Sequence, residues 1–105
     1  MIRAGVEVGR NIKSAMDSKD EIKKRLVAAG YEKIVEYNDP PHEFFADHDH
    51  EKDQVIYIFK GSMLVNMQGK EYSLKAGDEL FFPAKVIHNA KIGVEGCEYF
   101  DGEKV

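Results

Sequence analysis

The chain has one cysteine, three prolines, no surplus of basic residues and no long apolar run. Each shortage excludes something. Cys97 alone rules out an intramolecular disulfide framework, and without a Cys-x-x-Cys partner it reads as a packed strand residue. Fifteen Lys and Arg against nineteen Asp and Glu give a net charge of −4, too acidic to neutralise a phosphate backbone, so nucleic acid is not an expected partner. The longest strongly apolar run, Val55 to Phe59, falls far short of the roughly 20 residues that cross a bilayer, and no membrane segment is expected. The amino end lacks the charged, apolar and small-residue pattern of a secretion signal, so the expected compartment is the cytoplasm. With 43% hydrophobic and 32% charged residues and nine glycines, the composition is that of a folded domain and excludes disorder or a collagen-like repeat. A length of 105 residues allows one such domain.

Ser18 and Glu21 form a Ser-x-x-Glu capping box, and Gly30 supplies a stop, which predicts a short helix over about 18–29. Ile22, Leu26 and Ala29, with Val27 beside them, form its packing face, while Lys23, Lys24 and Arg25 form a solvated arc. Beyond Tyr31 the periodicity becomes strand-like. Short runs are expected at Lys33–Tyr37, Glu43–His48, Gln54–Lys60, Met63–Met67, Glu71–Leu74, Glu79–Phe82, Val86–Ile92 and Glu98–Phe100. Turns are expected at Asn38-Asp39-Pro40-Pro41, Gly61-Ser62, Gln68-Gly69-Lys70 and Ala76-Gly77-Asp78. Many short strands without intervening helices indicate an all-β antiparallel sandwich or barrel. Both faces of Gln54–Lys60 are apolar, with Ile56 and Ile58 on one side and Val55, Tyr57 and Phe59 on the other. The outer face needs a cover, and the expected covers are the helix and a second copy of the chain, with Ile2–Val8 as an exchanged strand.

Three of the four histidines fall into a pattern. Residues two apart on a strand share a face, so His48-Asp49-His50 sends two imidazoles into one space. Gln54 shares its face with Ile56 and Ile58, and His88 shares its face with Val86 and Ala90, so all four polar side chains are able to converge. Convergent imidazoles in an apolar interior need donors, acceptors or a metal. Taken singly each has a plain alternative: His88 as a hydrogen-bonded core residue, and His48 with His50 in the solvated acidic stretch 47–53.

The wider spacing resembles the cupin superfamily over His42 to Asn89. The first cupin motif is Gly-x5-His-x-His, three or four residues, Glu, six residues and Gly. His48, His50, Gln54 and Gly61 keep every interval, with His42 in place of the leading Gly and Gln54 in place of the Glu. The second motif is Gly-x5-Pro-x-Gly-x2-His-x3-Asn. Gly77, Pro83 and His88 fall on it, while Lys85 replaces the second Gly and Ile92 the Asn. The resemblance implies a double-stranded β-helix, or jelly-roll barrel, over 33–105, with residues 1–32 as an N-terminal segment whose helix lies on the barrel or on a partner. It also implies a divalent transition metal, Fe, Mn, Ni, Zn or Cu, held by His48, His50 and His88, with Gln54 at the position of the family's carboxylate.

Gln54 as a ligand brings no charge, so the metal keeps its full +2, loosens, and favours a small anionic ligand. Glu51 or Asp53 as the fourth ligand requires a local bulge. Phe44, Ile56, Ile58, Phe82 and Val86 are expected to line the substrate pocket, with Tyr57 and Phe100 as further candidates. No general base stands out; Tyr57, Lys85 and His42 are the available side chains. Three functions compete: a metal-dependent enzyme, foremost a dioxygenase but with cupin isomerases and lyases as relatives; a non-catalytic small-ligand or metal-binding module; and a homodimeric scaffold.

Overall fold

Helix α1 (Lys19–Ala28) starts at the expected cap. Ser18 Oγ accepts from the Glu21 amide at 3.2 Å, and Glu21 Oε1 accepts from the Ser18 amide at 3.0 Å, satisfying two otherwise unpaired donors. The structure, a computed structural model, describes residues 18–104. The strand exchange expected of Ile2–Val8 lies outside the described residues. Six strands follow: β1 (Tyr31–Asp39), β2 (Phe44–His48), β3 (Gln54–Met67), β4 (Lys70–Lys75), β5 (Glu79–Phe82) and β6 (His88–Lys104).

The count differs from the sequence expectation because two pairs of expected strands are continuous. Gln54–Lys60 and Met63–Met67 join in β3, and Val86–Ile92 and Glu98–Phe100 merge into β6. Gly61 and Gly96, each at φ +81°, are bends inside these strands and not turns between them. β3 and β6 pair antiparallel along their lengths and fold over together at this bend, where Gly61 faces Cys97 and Met63 faces Ile92. Before the bend, residues 54–61 of β3 and 97–104 of β6 lie between β5 and β1; after it, residues 63–67 and 88–92 lie between β4 and β2. The result is two facing antiparallel layers, the jelly-roll arrangement.

Strand parity then sorts the side chains. Ile56, Ile58, Leu80, Phe82, Cys97 and Tyr99 of one layer meet Met63, Val65, Met67, Leu74, Ala90 and Ile92 of the other in the main core. On the outer face of the first layer, Val55, Tyr57 and Phe100 are covered by Ile22 and Leu26 of α1. Burying each of those two helix side chains contributes about 2 kcal/mol. The helix face is narrower than expected. Val27 is 53% exposed, and Ala29 is the exposed C-cap, because α1 ends before another turn reaches the sheet. Lys19 reaches Glu36 and Glu98 at 2.7 Å, and Arg25 reaches Glu79 at 2.8 Å, fixing the helix across strands β1, β5 and β6.

Candidate metal centre

The three histidines arrive from different pieces of backbone. His48 ends β2 and lies opposite His88, the first residue of β6. His50 sits in the connector after β2, and its carbonyl accepts the Lys85 amide at 2.7 Å. Asp53 Oδ1 accepts the Ala84 amide at 2.8 Å, so the 49–53 connector and the loop before His88 clasp each other. Gln54, opposite both Phe82 and Glu103, is buried at the start of β3.

Together these place one candidate ligand atom from each of His48, His50 and His88 within 4.8 Å of one another. The ring centroids are separated by 5.1 Å for His48–His50, 4.4 Å for His48–His88 and 5.4 Å for His50–His88. Each Nδ1 has an outer partner. His48 Nδ1 is 2.6 Å from the Ala46 carbonyl, His88 Nδ1 is 3.1 Å from the Val86 carbonyl, and His50 Nδ1 is 3.5 Å from Glu103 Oε2. A carbonyl oxygen only accepts, so Nδ1 of His48 and of His88 donates and Nε2 of each is the ring atom left for a metal. Burial above all, aided by the neighbouring His48 and His50 rings, lowers the pKa of His88 to about 4, against the raising effect of the Val86 hydrogen bond. That imidazole is neutral and able to ligate at pH 7.

Among the described residues two buried side-chain atoms lack a hydrogen-bond partner: His50 Nε2 and Gln54 Oε1. Such orphans are costly in an interior, and a cation beside them removes the cost. The residues therefore fit a divalent metal. Gln54 Nε2 donates to Asp101 Oδ1 at 2.9 Å. Burial raises the pKa of Asp101, against the lowering effect of the Gln54 hydrogen bond. A glutamate at position 54 would set two carboxylates against each other, a physical reason for the amide found there. Glu51 and Asp53 are not in the histidine group: Glu51 is exposed, 3.9 Å from Lys85, and Asp53 is committed to Ala84.

A cavity of about 200 Å³ opens on the histidines. Ile56 and Phe82, expected in its wall, line it. Phe44, Ile58 and Val86 do not. A bulge explains Phe44: between Phe45–Ala90 and His48–His88, β2 spends one more residue than β6, so Phe45 shares the inner face with His48 while Phe44 is 59% exposed. Ile58 is sealed in the main core, and Val86 lines a separate cleft with Asp47 and Asn89. Tyr57 and Phe100 lie beneath α1. Lining residues absent from the expected pocket are Tyr37, Asp39, Phe45, Met63, Ala90, Tyr99 and Asp101. The alternation Cys97, Tyr99, Asp101 carried a signal for Tyr99 and Asp101, but the expected strand stopped at Phe100, one residue short of Asp101. His42 is exposed, at φ +68°, and Lys85 is at φ +63°. Both occupy positions where the cupin pattern has glycine, and both keep the left-handed backbone.

The family model described as "Cupin domain" matches residues 35–100. No curated protein matches the chain at the sequence level. Among solved structures, KdgF from Halomonas sp. superposes with TM-score 0.63 at 23% identity, covering 69% of this chain and 67% of that one. An RmlC-like cupin from Shewanella frigidimarina gives TM-score 0.61 at 28% identity, covering 69% and 65%. A variant of salicylate 1,2-dioxygenase from Pseudoaminobacter salicylatoxidans, in complex with gentisate, gives 0.63 at 18% identity, covering 68% of this chain but 19% of that one. The chain thus spans about two thirds of the first two proteins and about a fifth of the third. No helix among the described residues is long and apolar enough to cross a membrane.

Proposed function

The chain belongs to the cupin domain family, and from that premise we propose that it is a metal-binding cupin whose cavity receives a small organic anion, acting on it as a dioxygenase. The observation that carries this reading is the convergence of three imidazoles, each with its Nδ1 turned to an outer partner, in the wall of the cavity. His48, His50 and His88 hold the ion, with Gln54 as a neutral fourth donor. A bound divalent transition metal, Fe, Mn, Ni, Zn or Cu, supplies Lewis acidity and, when redox-active, electron transfer.

The chain's own residues do the rest. Three imidazoles and an amide leave the ion's charge uncompensated, which attracts a carboxylate or enolate. Ile56, Phe82 and Phe45 exclude water from the cavity and bury the apolar body of the ligand. The likeness to a dioxygenase solved with gentisate supports the choice of reaction class and of an anionic ligand. The reading takes the protein as a cytoplasmic homodimer, in which a second copy meets the remaining exposed apolar surface.

A non-catalytic binding module is the second reading, favoured by one observation. Each carboxylate of the cavity is already engaged, Asp39 by Tyr99 and Asp101 by Gln54, so neither is a ready general base. Dissolved-oxygen measurements on ferrous-loaded protein with small enols, catechols and hydroxy acids separate the two. Uptake that disappears in His88→Ala supports the enzyme; tight binding without uptake supports the module.

A further inference from the structure

The cavity wall is rich in acceptors and poor in positive charge. Among the described residues Asp39 and Asp101 line it and neither lysine nor arginine does, and the buried Gln54, 3% exposed, adds an Oε1 without a protein partner. An occupant must therefore bring donors or positive charge of its own. At the histidine end the ion meets that need. A second polar group, the Asp39–Tyr99 pair with the Tyr37 ring beside it, lies farther along the layer.

Its position follows from the strand register. Gln54 faces Glu103 on β6, whereas Ile58 faces Tyr99, four residues farther along. That offset is about 13 Å of strand. Tyr37 pairs with Tyr99 from the other side, and Asp39 pairs with Cys97 two residues beyond. Tyr99 Oη donates to Asp39 Oδ2 at 2.5 Å. Burial, then this hydrogen bond, pushes the Tyr99 pKa up, so the phenol keeps its proton and Asp39 serves as the acceptor. The remaining wall, including Ile56 and Met63, is largely apolar.

We propose that Asp39, held in place by Tyr99, is a second subsite that reads a hydrogen-bond donor, a hydroxyl or an ammonium, at the end of the ligand remote from the histidines. The occupant is then a monoanion or a zwitterion with a donor at its far end, and dicarboxylates are rejected. This inference rests on the metal-binding, anion-receiving function proposed above and narrows its substrate class. Probes of about six carbons are chosen to reach from the histidine end along this offset toward Tyr99 and Asp39.

Four probes of one length test it on nickel-loaded protein by titration calorimetry: hexanoate, 6-hydroxyhexanoate, 6-aminohexanoate and adipate. The two donor-bearing probes are expected to bind about tenfold more tightly than hexanoate, the effect of one hydrogen bond to a charged acceptor, and adipate more weakly than hexanoate. In Asp39→Asn the advantage of 6-aminohexanoate should fall to within about threefold of hexanoate, with nickel stoichiometry unchanged. Tyr99→Phe keeps the carboxylate but removes the hydroxyl that holds it, so it serves as the test if Asp39→Asn does not fold: the advantage of 6-aminohexanoate over hexanoate should shrink by about threefold, and an unchanged advantage overturns the subsite. Adipate binding as tightly as 6-aminohexanoate overturns the subsite, as does an ammonium preference that survives Asp39→Asn. Nickel uptake without binding of any probe also overturns it. Failure to take up nickel at all is a different result, and it refutes the functional reading on which the subsite rests.

Discussion

Replacing Gly61 by alanine tests the bend that folds one layer over the other. Gly61 lies at φ +81°, and a Cβ there would stand 2.0 Å from the Gly96 carbonyl oxygen, 2.8 Å from its carbon and 3.1 Å from Cys97 Cα. These are backbone atoms of the paired strand, with no side chain to swing aside. Relieving the overlap means opening β3 from β6 where Ile58 and Cys97 seal the core. The left-handed backbone costs an alanine about 1–2 kcal/mol, and strained or lost ladder hydrogen bonds with disturbed packing bring the total to about 4 kcal/mol or more. Gly69 supplies the control: its φ is +76°, and a Cβ there meets nothing within 4 Å. Gly69→Ala therefore isolates the backbone term, about 1–2 kcal/mol. For a domain of this size each kcal/mol moves the midpoint by about 4–8 °C, so Gly61→Ala should melt at least about 10 °C below Gly69→Ala in paired thermal unfolding followed by circular dichroism. Equal melting temperatures would refute the close approach of β3 and β6 as a determinant of the fold.

Three further substitutions probe the site and the core. Lys85→Gly removes a left-handed non-glycine backbone worth about 1–2 kcal/mol against about 0.5–1 kcal/mol of added unfolded-state freedom, and its exposed Glu51 partner is 3.9 Å away. Urea unfolding should show a gain of about 0.5 kcal/mol, and a loss would contradict the strain. Gln54→Glu, which places a carboxylate against Asp101, should improve metal retention in chelator dialysis less than the double variant Gln54→Glu, Asp101→Asn, in which the like charges no longer face each other. Equal retention by the two would mean that the contact does not govern the ligand position. Burial first, with Asp39 and Glu98 adding to it, pushes the Cys97 thiol up to about 12. A pKa raised on folding contributes stability that is whole below the unfolded value of about 8.5 and is lost as pH rises toward 12. The urea midpoint should hold steady to about pH 8.5 and then fall, with a shallower fall in Cys97→Ala; an unchanged profile in that variant would place the effect elsewhere.

How far the sequence was legible depended on whether a local rule governed the residue. The cap at Ser18 and Glu21 is decided within one helical turn, and both of its hydrogen bonds form. The alternation through Gln54, Ile56 and Ile58 is decided by strand parity, and these side chains face inward. Gly61 and Gly96 were harder, because a positive φ serves a turn and a mid-strand bend equally well; only the pairing of β3 with β6 distinguishes them. Phe44 failed for a related reason. One inserted residue in β2 reverses parity between Phe45 and His48, and nothing in Phe44-Phe45-Ala46-Asp47-His48 marks where the bulge falls. His48 and His50 still converge, although His50 lies past the end of the strand, because its carbonyl is anchored by the Lys85 amide. Asp39 read as part of a proline-containing turn. Its place in the cavity wall follows from the pairing of β1 with the far end of β6, a contact between residues 58 apart, Asp39 and Cys97.

The central claim is that His48, His50 and His88 hold a metal ion, and its most direct test is the elemental composition of the protein. Protein purified without an affinity tag and analysed by elemental mass spectrometry, beside a His48→Ala, His50→Ala double variant, is expected to carry a near-stoichiometric divalent transition metal that the variant lacks. Wild-type protein without metal after reconstitution, or metal retained undiminished by the variant, would contradict the account.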